Sequence, residues 1–169
     1  MPAAFPPASP TPVVRVALVD DDAFVLTALR AYLASSPQIE VASTFTRGAD
    51  ALAFLRRVPV DVLLTDVRMP GMNGLELLGR VRARHPGVAV VVLTSFDDDE
   101  AMLAALSQAA NGFLLKDSAP EKIVRAVLAA ADNDTTISPT TASRLVAHHL
   151  RPARRGGAEI GRASCRERV

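Results

Sequence analysis

Short runs of β-branched and apolar residues recur along the chain, each followed by a stretch with apolar side chains at three- and four-residue spacing, and this alternation leaves few folds open. The runs are VVRVALV at 13–19, IEVAS at 39–43, VDVLLT at 60–65, VAVVVLT at 88–94 and GFLLK at 112–116. Between them, Phe24, Leu29 and Leu33, then Leu75, Leu78 and Val81, then Ile123, Val127 and Leu128 mark amphipathic helices. Parallel strands need a crossover long enough to hold a helix, so strand alternating with helix predicts a parallel sheet. The third and fourth runs are nearly continuous in Val and Leu, as strands buried on both faces are. With right-handed crossovers, the expected fold is α/β: a doubly wound, five-stranded parallel sheet in a three-layer α/β/α sandwich.

Ligands of such sheets bind beyond the carboxyl ends of the strands, where the strand order reverses. Asp20, Asp21 and Asp22 follow the first run, Asp66 the third, Thr94 and Ser95 the fourth, and Lys116 ends the fifth. Carboxylates gathered at one edge raise one another's pKa unless a cation offsets them. Mg2+ answers that need with hard oxygen ligands, using one or two carboxylates together with water and phosphate oxygens. A phosphoryl group is the natural guest, Asp66 the candidate nucleophile, and Lys116 and Thr94 the cation and hydroxyl for its remaining oxygens. Asp22 reads as a helix N-cap. The acids of DDDE at 97–100 read as a helix start favoured by its dipole. His85, His148 and His149 have no acid or cysteine at ligand spacing.

Four segments carry these features in one order: LVDDDAF, DVLLTDVRMPGMNGLELL, VVVLTSFDDDE and NGFLLKDSAPEKI. In them the chain resembles the receiver domain of two-component response regulators, of the NarL/LuxR type of transcription regulator. The resemblance covers 13–131 and runs on through TISPTTASRLVAHHL, similar to that family's linker helix. It implies a flavodoxin-like receiver fold and a signalling role in which Asp66 accepts a phosphoryl group from a sensor histidine kinase with Mg2+ as cofactor. Asp20 and Asp21 then take the metal-binding acidic pair, with Asp66 and the backbone carbonyl of Arg68 completing the ligands. Lys116 faces the phosphate, Thr94 and Phe113 are the switch residues, and Arg68 and Phe96 flank the path of attacking water. Such a domain catalyses its own phosphorylation and dephosphorylation but is not otherwise an enzyme. Homodimerisation on phosphorylation is implied, as is DNA contact solely through a helix-turn-helix domain that does not follow here. Ala109 departs from the resemblance, standing where many relatives have glycine.

Three other readings fit less well. A phosphatase of the haloacid-dehalogenase kind needs a second acid two residues after the nucleophile, where this chain has Arg68. A nucleotide carrier needs an uncharged, glycine-rich loop after the first strand, and DDDAF would repel phosphate. An unphosphorylated pseudo-receiver lacks a key residue, and none is missing.

Composition sets the remaining bounds. With 169 residues, 49% hydrophobic and 22% charged, the chain suits one soluble domain. No apolar run approaches the roughly 20 residues of a membrane span, and the N-terminus lacks a secretory signal, so a cytoplasmic protein with no membrane contact is expected. The net charge of +1 conceals a split: residues 13–131 hold 12 Lys/Arg against 14 Asp/Glu, and residues 144–169 hold 7 against 2. The expected organisation is a flexible Pro-rich leader at 1–12, a receiver domain at 13–132, a linker helix at 133–152 and a disordered tail at 153–169. Residues 159–169, EIGRASCRERV, match the frame translation of a common sequencing-adaptor string at all eleven positions and are read as an artefact, which leaves Cys165 without meaning.

Overall fold

The computed structural model describes residues 12–95 and 99–137, with Ala142, Ser143 and Ala147. Strand and helix alternate throughout: β1 (Val14–Val19), α1 (Ala23–Ala34), β2 (Ile39–Phe45), α2 (Gly48–Leu55), β3 (Val62–Asp66), α3 (Gly74–Arg84), β4 (Ala89–Thr94), α4 (Asp99–Ser107), β5 (Gly112–Leu115), α5 (Pro120–Ala131) and β6 (Thr136–Ile137). The sheet order is β2-β1-β3-β4-β5-β6, with every pairing parallel. The order reverses at β1, which lies between β2 and β3, so the crevice expected of a doubly wound sheet opens there.

Side-chain alternation along the central strands divides the core into two. Ala17, Val19, Leu63, Val90 and Val92 face α2, α3 and α4, packing against Leu52, Leu77, Leu78 and Met102. Val16, Leu18, Val62, Leu64, Val91 and Leu93 face α1 and α5, packing against Leu29, Leu33, Ile123 and Val127. The result is the expected three-layer sandwich. β3 and β4 are buried at every position, as their unbroken apolar runs require.

Four expectations are corrected. Phe24 is not part of the buried stripe of α1: it is 85% exposed, and Leu26, Leu29 and Leu33 form the stripe. Two residues separate Phe24 from Leu26, a rotation of about 200° that sends the ring to the far side of the helix. The sheet has six strands rather than five, because Thr136 and Ile137 pair with Gly112 and Phe113. The segment expected to open a linker helix at 133 therefore begins as a turn and a strand, although Ala142, Ser143 and Ala147 further on are helical. Finally, β5 stops at Leu115, which puts Lys116 in the turn beyond it. The leader before Pro12, the tail and Phe96 lie outside the described residues. No helix among the described residues is long and apolar enough to cross a membrane.

Candidate functional site

β1 ends at Val19, so the first two acids fall at the crevice. Asp20 is fully buried and Asp21 exposed. The Asp20 carboxylate is held by its own turn, where the backbone N–H of Asp22 donates to Oδ1 at 2.9 Å. Asp22 itself turns away and caps α1, its Oδ1 accepting from the Phe24 N–H at 2.8 Å, as a residue of that type before an apolar-periodic run should. Asp66 is the last residue of β3 and is 4% exposed. It continues the alternation of Leu64 as Asp20 continues that of Leu18, so both acids emerge on the α1/α5 face.

Lys116 joins them. Its Nζ lies 2.7 Å from Asp20 Oδ2 and 3.0 Å from Asp66 Oδ2. Its backbone N–H donates to the Thr94 carbonyl at 2.8 Å, which ties the ends of β4 and β5 together directly under the ion pair. Burial pushes the Asp66 carboxyl above its usual range; the Lys116 hydrogen bond and charge oppose this, while the Asp20 charge adds to it. For Lys116, burial acts downward, but hydrogen bonds and charge from Asp20 and Asp66 outweigh it and hold the ammonium above its ordinary value.

Carboxylate oxygens of Asp20, Asp21 and Asp66 all lie within 4.8 Å of one another. Three carboxylates facing one ammonium leave uncompensated negative charge in a largely buried setting, and all the donors are hard oxygens. That donor set suits a divalent cation of the Mg2+ class. The adjacent cavity, about 640 Å3 between the turn after β3 and α4, is lined by Val67, Met69, Pro70, Leu75, Ala101 and Ala104, with Arg68, Asn73 and Glu100 among its polar edges. It contains none of the three clustered acids. Arg68 is exposed in that turn.

Thr94 is 3% exposed and Phe113 is 1% exposed. Val92 is in register with Phe113, and Thr94 lies two residues beyond Val92, so Thr94 and Phe113 share the face that packs on α3 and α4. The acids and the hydroxyl thus reach the same sheet edge from opposite faces.

Two residues to which the sequence assigned no role build the surroundings. Gly74 opens α3 beneath the turn: a Cβ there would lie 1.9 Å from the Asp66 carbonyl oxygen and 2.8 Å from its carbon. The Gly74 N–H donates to the Val67 carbonyl at 2.8 Å, so the chain folds straight back onto the end of β3. A glycine placed just after a capping asparagine, where helix propensity disfavours it, is the sequence signal for such an approach. Arg82 fastens the opposite end of α3. Nε donates to the Ala109 carbonyl at 3.1 Å, one Nη to the Val88 carbonyl at 3.0 Å and the other to Asn111 Oδ1.

Comparison with known proteins agrees with this fold. Residues 16–128 match the family described as response regulator receiver domain. The nitrate/nitrite response regulator protein NarL of Escherichia coli (strain K12) is 31% identical over 123 residues, covering 73% of this chain and 57% of that protein. The transcriptional regulatory protein UhpA of Salmonella typhimurium is 33% identical over 140 residues, covering 83% of this chain and 70% of that protein. Among solved structures, the signal receiver domain of the response regulator NarL from Mycobacterium tuberculosis aligns with a TM-score of 0.68 at 36% identity, over 72% of this chain and 98% of that one. The chain spans little more than half the length of the Escherichia coli relative, 57% of it.

Proposed function

The chain belongs to the response regulator receiver domain family, and from that premise we propose that Asp66 accepts a phosphoryl group from a sensor histidine kinase in a Mg2+-dependent reaction. The observation that carries this reading is the Lys116 ammonium bridging Asp20 and Asp66, with Asp21 in reach of both. A nucleophilic carboxylate has to be ionised, yet burial favours its neutral form. Lys116 offsets that penalty and stands where the oxygens of an incoming phosphoryl group need positive charge. An oxygen of Asp66 forms the new bond to phosphorus as the bond to the donor breaks, giving an acyl phosphate. Thr94 supplies a hydroxyl to one phosphoryl oxygen.

Asp20, Asp21, Asp66 and the carbonyl of Arg68 would hold the cation, which when bound offsets the negative charge that gathers as phosphoryl is transferred. Asp20 is already engaged by Lys116 and by the Asp22 amide, whereas Asp21 is exposed at the rim. That difference favours Asp21 as the direct ligand. Phosphorylation draws Thr94 toward the site and repacks Phe113, altering the surface of α4 and β5. In the whole protein the change would govern transcription, as the name of the relative UhpA, a transcriptional regulatory protein, suggests, and we extend the proposal to a homodimer formed on phosphorylation and to DNA contact through a helix-turn-helix domain. The domain acts in the cytoplasm and catalyses only its own phosphorylation and dephosphorylation.

Incubation with acetyl phosphate and Mg2+, followed by intact mass measurement, tests the reading. The wild type should gain one phosphoryl group and Asp66→Asn none. An unmodified wild type, or a modified Asp66→Asn, removes the assignment.

A further inference from the structure

Thr65 stands immediately before Asp66 and is fully buried. A hydroxyl taken out of water needs a partner, and here it donates to the carbonyl oxygen of Asp66 at 3.0 Å. That oxygen is the atom against which Gly74 closes, leaving no room for a methyl group. On the other side of the same peptide, the Val67 N–H donates to the Leu93 carbonyl at 3.1 Å. The peptide that follows Asp66 is thus held at its nitrogen by β4 and at its oxygen by Thr65.

A peptide pinned at both ends cannot rotate about the strand axis, and the direction of the preceding Cα–Cβ bond is fixed with it. For Asp66 this direction decides whether its carboxylate meets Lys116, now 3.0 Å away, and the oxygens of Asp20 and Asp21. We propose that Thr65 is a positioning residue: its hydroxyl holds the Asp66 carbonyl against Gly74 and so aims the carboxylate at Lys116. This rests on Asp66 being the phosphoacceptor. The effect is one of orientation, since Thr65 lies on the α2–α4 face with Leu63 and the carboxylate on the other.

Three variants separate aiming from mere packing. Thr65→Val keeps the branched shape and deletes the donor, Thr65→Ala deletes the donor without placing a methyl where the hydroxyl sat, and Thr65→Ser keeps the donor. Acetyl phosphate labelling rates are measured at saturating Mg2+, alongside Mg2+ affinity by calorimetry and stability in urea. The expected result is a labelling rate about tenfold lower in Thr65→Val and Thr65→Ala, the scale of loss a small misplacement of a reacting group produces. Thr65→Ser should recover to within about twofold of the wild-type rate, the hydroxyl being what fixes the geometry. Wild-type labelling rates in Thr65→Val and Thr65→Ala would overturn the proposal. So would a Thr65→Ser variant as slow as Thr65→Val with matching losses of stability, because packing alone would then account for the effect. If the wild type itself takes no label, the reading of Asp66 fails first; a labelled wild type with indifferent Thr65 variants defeats the positioning role alone.

Discussion

Helices α4 and α5 stop in the same way, and the comparison predicts how one residue change should alter stability. The N–H groups of Ala109 and Ala110 return to the carbonyls of Leu106 and Ala105 at 3.0 and 3.1 Å; those of Asn133 and Asp134 return to Ala130 and Ala129, both at 3.0 Å. These paired closing bonds require a left-handed residue, with φ of 58° at Ala109 and 61° at Asn133. Asparagine visits that region readily, whereas the Cβ of alanine crowds the following carbonyl oxygen at a cost of about 1–2 kcal/mol. Glycine removes the crowding but frees the unfolded chain by about 0.4–1 kcal/mol. Ala109→Gly should therefore stabilise the domain by about 0.5–1 kcal/mol, the difference of the two effects.

Equilibrium unfolding in urea reads this directly. The midpoint should rise by about 0.4 M with the slope unchanged, since the exposed surface is the same. Asn133→Gly is the internal control and should move the midpoint little. Asp66 labelling should be unaffected in both variants. A midpoint that does not rise in Ala109→Gly, or one that rises equally in Asn133→Gly, would refute the strain assigned to Ala109.

The remaining predictions concern the site and its supports. Gly74→Ala should cost about 3 kcal/mol in the same unfolding assay, because its methyl meets the backbone of Asp66 rather than a flexible side chain. Arg82→Met should cost about 2 kcal/mol by leaving its carbonyl acceptors unpaired. Arg82→Lys should recover less than half of that, since an ammonium cannot reproduce the planar fork, and full recovery would show that charge alone matters. Because burial raises the Asp66 pKa, the folded state holds its proton more tightly than the unfolded one, and stability falls as pH rises from the ordinary carboxylate range through the raised value. Asp66→Asn should thus be more stable than the wild type at neutral pH, the gap closing in acid; a pH-independent gap would contradict this. Arg68 and Phe96, which the family resemblance puts beside the path of attacking water, offer no acceptor for its proton as a carboxylate or amide would, so the acyl phosphate should hydrolyse slowly and Phe96→Glu with Arg68→Asn should shorten its half-life about tenfold.

What the sequence disclosed depended on whether a feature is local. Asp20, Asp66 and Lys116 were legible because each directly follows an apolar run, and parallel pairing carries all such ends to one edge. Two-residue β6 was not, having no period of its own; its pairing exists only because the chain leaving α5 returns beside β5. Phe24 lies off the buried stripe because the helix phase is set by Leu26, and apolar spacing alone does not say from which residue the stripe starts. Gly74, Arg82 and Thr65 depend on the path of a turn, so glycine, arginine and threonine there signal little until their partners are known. That the Lys116 ammonium would lie between two acids rather than beside one was equally a matter of three-dimensional register.

Lys116 is also where charge and backbone meet. Its ammonium is the sole basic group paired with Asp20 and Asp66 among the described residues, and its own N–H is bonded to Thr94. A phosphoryl group on Asp66 would convert one negative charge into about two, and the ammonium must follow the charge it neutralises. The lysine stem is flexible, so small displacements stop there. Larger ones pull on the turn after β5 and, through the hydrogen bond at 2.8 Å, on the end of β4 that carries Thr94. Phe113 lies three residues earlier on β5, packed between the sheet and the helices on the α3/α4 side. Besides the proposed movement of the Thr94 hydroxyl, charge at Asp66 would therefore have a second route to the far face of the sheet, the Lys116 backbone, and both would end on the same pair of strands.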